Sequence, residues 1–272
     1  MNKTASELGS CGSAPVLGPA AGVYRERATL PALQQHFACV WFNTIPENAS
    51  GQLAIVPDGC VDLLWFDGAL RIAGPDQQVK IECVPPGTTV IGLRFRPGAA
   101  TRWLETPVCE VVDARVSLEC FWAGEVRHLS EWIGEASSPE GAARRLEDAM
   151  AQRATAIAPP DETARAIFNV IARRRDYSIP VARELSEYLE VSERTLRRRC
   201  HETFGFGPKT LDRIVRFQRF LRLVRADDVA SMADLAVHAG YSDQSHLTRE
   251  TASMAGMTPS RIREQLGNIR GA

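Results

Sequence analysis

Two clusters of side chains in the last third of the chain have the types and spacing to do recognition chemistry. In "VSERTLRRRCHETFGFGPKTL", residues 191–211, Arg194, Arg197, Arg198 and Arg199 fall within six positions. In "AGYSDQSHLTRE", Gln244, Ser245, His246, Thr248 and Arg249 crowd a second short stretch. An arginine fork matches the two acceptors on the edge of guanine, and a glutamine amide matches the donor and acceptor of adenine. The same arginines would also suit a solvated helix face, so their meaning depends on what holds them.

A repeat holds them. "ARELSEYLEVSERTLRRRCHETFGFGP" returns as "MADLAVHAGYSDQSHLTRETASMAGMTP". Leu196, Arg198, Gly205 and Pro208 recur 51 residues later as Leu247, Arg249, Gly256 and Pro259, whereas Leu185 and Leu235 are 50 apart. The second copy therefore has a turn one residue longer. Each copy reads as a short helix, a tight turn and a helix N-capped by Ser192 or Asp243, which predicts helix-turn-helix units over 182–204 and 232–255. Leu196, Cys200 and Phe204 recur at helical spacing and point inward, leaving Arg194, Arg197, Arg198 and His201 outside. In the second copy Leu247 and Thr251 point inward, while Gln244, Ser245, Thr248 and Arg249 point out. The inward hydroxyl of Thr251 needs a partner, and the carbonyl of Leu247 one turn back is the expected one. A capped helix start also offers free backbone N–H groups to a phosphate. A solvated face accounts for one such cluster; two capped helices at a fixed spacing point to double-stranded DNA.

The elements around this repeat divide the chain. Its 272 residues, 44% apolar and 24% charged, leave room for two folded cores of ordinary globular composition. From residue 161 onward there are 19 Lys and Arg against 15 Asp and Glu, which leaves 13 against 18 in the rest. An acidic first part joined to a basic second part fits a polyanion partner for the second. Residues 1–22 are small and polar and read as a disordered tail without a secretory signal, on a cytoplasmic protein. No stretch is apolar enough to engage a membrane.

Residues 53–96 read as β structure. Asp58-Gly59 and Asp67-Gly68 each separate apolar runs, which predicts two hairpins, and "VKIECV", "PPGTT" and "VIGLRFR" predict a third. Several short strands at this spacing imply a barrel or sandwich. Beyond Pro97 the spacing turns helical through "SLECFWAGEVRHLSEWI" and "PEGAARRLEDAMAQRA", and Pro159-Pro160 mark a linker before a helix capped by Asp161. The expected fold is α+β: a β-rich regulatory domain over 23–125, a helical bridge and linker over 126–160, and an all-α domain over 161–267.

With these motifs in place, the chain resembles the AraC/XylS family of bacterial transcription regulators. "AGYSDQSHLTRE" and "GMTPSRIR" carry the resemblance, which extends over about residues 165 to 265. It implies two helix-turn-helix units joined by a long helix, here "KTLDRIVRFQRFLRLVR", residues 209–225, with Ile214, Phe217, Leu221 and Val224 on one face. It places base-reading positions at Arg194, Arg197 and Arg198, then at Gln244, Ser245, His246 and Arg249. Cys200 and Thr251 stand where many members carry Phe, so both inward stripes are light. "PDGCVDLLWFDGALRIAGPDQ" with "GLRFRPGAA" resembles the uncharacterised N-terminal domain of a sub-branch, and the family analogy implies effector binding or dimerisation there.

Trp41, Asp58, Asp62, Trp65, Arg94 and Arg96 are the side chains that could wall and anchor an effector pocket. Each has an ordinary structural role open to it: strand core for Trp65, turn chemistry for Asp58, half-exposed alternation for Arg94 and Arg96. A small-molecule effector, RNA polymerase and a second copy of the chain are the further partners this organisation admits. No cofactor or metal is expected: His36 is the one histidine before residue 128, and no C-x-x-C, H-E-x-x-H, G-x-S-x-G or phosphate-cradling glycine loop occurs. An enzyme is therefore not expected. The rival regulator is a thiol or soft-metal sensor using Cys39, Cys60 and Cys83, since six of seven cysteines lie in the first 120 residues.

Overall fold

Alternating apolar residues build the first part of the chain into two open sheets. The computed structural model describes residues 16–18, 21–49, 52–226 and 231–267. Strands β1 (Val16–Leu17), β4 (Gln52–Ile55) and β7 (Lys80–Cys83) form a three-stranded sheet in the order β1-β4-β7, with β1 parallel to β4. Strands β2 (Val23–Arg27), β3 (Phe37–Thr44), β5 (Asp62–Phe66), β6 (Ala69–Ala73), β8 (Thr89–Phe95) and β9 (Arg115–Ser117) form an antiparallel sheet in the order β2-β3-β8-β5-β6-β9. The arrangement is sandwich-like, and neither sheet closes into a barrel among the described residues.

One of the three expected hairpins forms as expected. Asp67 and Gly68, with φ of 51° and 70°, turn β5 back onto β6. Asp58-Gly59 instead carries the chain from one sheet to the other, with the Cys60 N–H donating 2.9 Å to Asp58 Oδ1 in an Asx turn. "PPGTT" likewise joins β7 of one sheet to β8 of the other. Alternation identifies a strand, but its partner is chosen by the face that must be buried, and the sequence stretch does not contain that choice. The helix expected across "SLECFWAGEVRHLSEWI" starts only at Val126, after β9 and a 3-10 turn over Leu118–Cys120. The tail expected over residues 1–22 lies largely outside the described residues; within the described part, Leu17 is a buried strand residue.

One face of the larger sheet buries Val40, Phe42, Leu63, Ile72, Ile91 and Leu93 under helices α1 (Ala100–Leu104), α2 (Val126–Gly134) and α3 (Pro139–Ala154). The segment read as a bridge thus covers the sheet. Ile133, Leu146 and Met150 share its core, and Trp103 sits at the centre among Phe37, Phe95 and Trp122. Glu147 of α3 is fully buried and takes the Arg27 guanidinium at 2.7 Å and the Leu30 N–H at 3.1 Å, which straps α3 to the edge strand β2.

The rest is helical: α4 (Glu162–Arg173), α5 (Val181–Tyr188), α6 (Glu193–Phe204), α7 (Pro208–Ala226), α8 (Met232–Ala239), α9 (Gln244–Ala255) and α10 (Pro259–Gly267). Asp161 caps α4 as expected, accepting from the Thr163 N–H at 2.9 Å. Leu196, Cys200 and Phe204 are buried against Ile214, Phe217, Leu221 and Val224, so the inward stripes of α6 and α7 fall where their spacing puts them. The sheets dock onto this core. Leu17 and Ala54 join it, the Leu17 N–H donates to Gln265 Oε1 at 3.0 Å, and Gln218 Nε2 donates to Pro57 O at 2.6 Å. No helix among the described residues is long and apolar enough to cross a membrane.

Candidate nucleic-acid interface

Two pairs of helices carry the recognition residues, α5 with α6 and α8 with α9. The Thr195 N–H donates to Ser192 Oγ at 3.2 Å and the His246 N–H donates to Asp243 Oδ1 at 2.7 Å, so both second helices are capped as their sequences require. Both are 12 residues long and both end on a left-handed glycine, Gly205 with φ 86° and Gly256 with φ 63°. The extra residue of the second turn is also real. The Val191 N–H bonds Ser186 O and the Tyr241 N–H bonds Ala236 O, after which one more residue, Ser242, precedes the cap.

Arg194, Arg197 and Arg198 are exposed on α6, and Gln244, Ser245, Thr248 and Arg249 are exposed on α9. Arg198 makes a solvent-facing ion pair with Glu202, at 3.4 Å, which costs little to break. His246 differs from its neighbours. It is half buried, its ring meets Tyr241 edge-on at 5.2 Å, and its Nδ1 lies 3.2 Å from Ser242 Oγ, so it ties the turn to the helix. Arg197, His201 and Lys209 also line a cleft of about 330 Å³ with Gln77 of the sheet domain. Thr251 is fully buried, and its hydroxyl bonds the carbonyl of Thr248 at 3.1 Å rather than that of Leu247. Helix α7 separates the two units and runs for 19 residues, about 28 Å at 1.5 Å per residue.

The effector candidates divide between places. Arg94 binds Asp62 through two hydrogen bonds of 3.1 Å and Asp58 through an ion pair of 2.8 Å. In the strand register Asp62 and Cys39 both lie opposite Arg94, and Trp41 lies opposite Gly92, which puts all of them on the sheet face away from α2 and α3. Trp65 is on the reverse face, packed with the helix-covered core. Arg96 lies beyond the end of β8, donating to Gln34 O. Four of the six candidates are thus brought together. Period-2 alternation would have added Tyr24, Glu26 and Cys39, which ring the same cluster: Tyr24 Oη donates to Glu26 Oε2 at 3.0 Å and Cys39 Sγ lies 3.7 Å from that oxygen. Burial raises the Asp62 carboxyl, Arg94 opposes the shift and Asp58 adds to it. Burial also pushes Cys39 up to about 11 and Cys60 upward, with Arg94 only partly opposing, so both are held as thiols rather than thiolates.

The class defined by this fold and site is a two-headed helix-turn-helix DNA-binding protein. Residues 185–265 match a helix-turn-helix domain family of AraC type, and residues 25–117 match a domain of unknown function (DUF6597). The segment 185–265 therefore carries a helix-turn-helix domain of AraC type, with the fold of a DNA-binding transcription regulator. Among solved structures it is similar to the C-terminal domain of AraT, a response regulator from Geobacillus stearothermophilus, at 19% identity and TM-score 0.36, covering 38% of this chain and 85% of that one. It is also similar to ToxT from Vibrio cholerae, at 11% identity and TM-score 0.45, covering 78% of this chain and 93% of that one. A probable AraC family transcriptional regulator from Rhodopseudomonas palustris matches at 20% identity and TM-score 0.34, over 39% of this chain and 98% of that one. No curated protein matches.

Proposed function

We propose that the chain is a sequence-specific transcription regulator that lays α6 and α9 into two successive major grooves. The observation that carries this reading is the pair of equally long, capped helices with exposed base-matching side chains, joined in the chain by one 19-residue helix. Arg194, Arg197 and Arg198 serve one half-site, and Gln244, Ser245 and Arg249 the other. His246 acts by holding the second turn and contacts bases less. Residues 161–267 act as the DNA-binding domain, and the sheets with α1, α2 and α3 as the regulatory domain.

Control by a small effector rests on the Trp41, Asp58, Asp62 and Arg94 cluster, which lies on the sheet face not covered by its own helices. The raised thiols of Cys39 and Cys60 weigh against thiol sensing at those two positions, because oxidant and soft-metal chemistry begin from the thiolate.

Footprinting with Arg198→Ala, Arg249→Ala and a control, Arg144→Ala on α3, tests the reading. Each of the first two is expected to cost about 1–3 kcal/mol and relax sequence preference at its own half-site only. Uniform weakening across all sequences would reduce both arginines to phosphate contacts and overturn base reading by these helices.

A further inference from the structure

Among the described residues, the least exposed arginine of the helical domain has no part in base reading. The Arg174 side chain, 3% exposed, follows the end of α4 and reaches two helices at once. Its Nε donates to Glu184 Oε2 of α5 at 2.6 Å, and its Nη1 lies 3.2 Å from Asp212 Oδ1 of α7. The other oxygen of Asp212 takes Arg216 Nη2 at 2.6 Å. Arg216 Nη1 in turn donates 3.4 Å to Gly240 O, in the turn of the second helix-turn-helix unit, and its guanidinium lies over the Tyr177 ring at 4.4 Å. A second link leaves α7 one residue along: Arg213 Nε donates to Glu250 Oε2 of α9 at 2.9 Å. Charged bonds therefore run from the first unit through the connector to the turn of the second, and a separate ion pair joins the connector to the second recognition helix.

We infer that this network sets the separation and rotation of the two recognition helices, and so selects the spacing of the half-sites the protein accepts. The inference rests on the two-groove reading above. Apolar packing alone would hold α5, α7 and α9 together, since buried ion pairs add little net stability over well-packed hydrophobic residues. What the pairs add is direction. Asp212 and Arg216 are one turn apart on one face of α7, and Arg213 is about 100° round the helix from Asp212, so the connector is gripped from two sides. A connector gripped that way can neither roll nor slide by a fraction of a turn without breaking a charged bond, and on the Asp212 side the partner left behind would be buried. Glu250 follows Arg249 in the chain, so the Arg213 link holds the helix that carries a proposed base contact. Register setting is the best-attested use of buried polar groups in helical assemblies.

The experiment uses the full chain and duplexes selected by the wild-type protein from a random library, rebuilt with the half-sites at the selected spacing and at one and two base pairs more or less. The wild type is expected to prefer its own spacing by about tenfold or more over a one-base-pair change. Arg213→Met, Glu250→Gln and Asp212→Asn are expected to bring that ratio towards one while changing affinity for an isolated half-site by less than about twofold. The double exchange Arg213→Glu with Glu250→Arg is expected to restore it. Arg213 and Glu250 are partly exposed, so their variants keep the fold even where Asp212→Asn does not. Folded variants that retain the wild-type spacing ratio overturn the inference and leave two-groove reading standing. A wild type indifferent to spacing overturns two-groove reading, and this inference falls with it.

Discussion

The first helix-turn-helix unit turns through Glu190 and the second through Gly240, at the same point of their corners, both with a left-handed backbone: φ is 53° for Glu190 and 95° for Gly240. A glutamate there accepts a backbone cost of about 1 kcal/mol that glycine avoids. The reason lies in what each turn touches. A Cβ built on Gly240 would sit 2.3 Å from the Tyr177 ring, the ring that also lies under Arg216, so the second corner is pressed against the network of the connector. The Glu190 corner is open to solvent. Equal geometry thus hides unequal packing. The first unit leans on the sheet domain at its far end instead, where a Cβ at Gly205 would run into Val112, Pro75 and Val108, while one at Gly256 would make ordinary contact with Val79.

The sharpest way to break this contrast is to exchange the corner residues. Gly240→Ala adds left-handed strain and a methyl group against Tyr177, and is expected to destabilise the chain by about 2–4 kcal/mol. Glu190→Gly removes strain at an open turn and is expected to stabilise by about 1 kcal/mol. Denaturant unfolding of the two variants reads both signs. Equal and small changes would mean that Tyr177 moves aside and that the two corners are alike.

The helical half was legible because its signals are local. Caps at Ser192 and Asp243, glycines at 205 and 256, and the stripes of α6 and α7 are each fixed by residues within a few positions of one another. The sheet half was legible only as strands. Which strand Ile81 or Leu53 pairs with depends on burial between two sheets, and "VKIECV" holds no record of it. The candidate effector residues divide for the same reason: Trp65 and Asp62 are three apart in the chain, and strand parity sends them to opposite faces. The ion network stayed hidden because Arg174, Glu184, Asp212 and Gly240 are separated by stretches with no common period. Thr251 faces inward as its spacing predicts, yet its hydroxyl lies on Thr248 O, one residue nearer than the expected Leu247 O. Thr248 makes the ordinary four-residue bond instead, its hydroxyl donating to Gln244 O at 2.8 Å.

Those two threonines sharpen the comparison of the recognition helices. In α6 the position equivalent to Thr251 is Cys200, a small hydrophobe fully buried, whose thiol burial pushes up to about 12. Threonine there buries less apolar area and competes for backbone acceptors, so α9 is expected to open more readily than α6. Hydrogen exchange on the free protein is expected to show amides of 243–253 exchanging faster than those of 192–203, and to slow on DNA binding. Equal protection in the free protein would reduce Thr251 to a packing substitution made good elsewhere.

The smallest difference lies in the caps. Ser192 does not titrate in the acid range, whereas Asp243 does. The His246 backbone N–H, the Ser242 hydroxyl and the positive end of α9 all favour the Asp243 carboxylate, which holds it below the ordinary aspartate value. A carboxyl lower in the folded chain than in the unfolded one stabilises fully above its unfolded value, and that contribution is lost as pH falls through the folded value. Acidification from about pH 5 to about pH 3 is therefore expected to loosen the start of α9 and leave the start of α6 unchanged. NMR shifts of the amides at 244–246 against those at 193–195 give the readout. Asp243→Ser, which keeps a capping oxygen but no titrating proton, is expected to erase the difference. If the start of α9 still loosens over the same range in that variant, the Asp243 cap is not the source of the acid sensitivity.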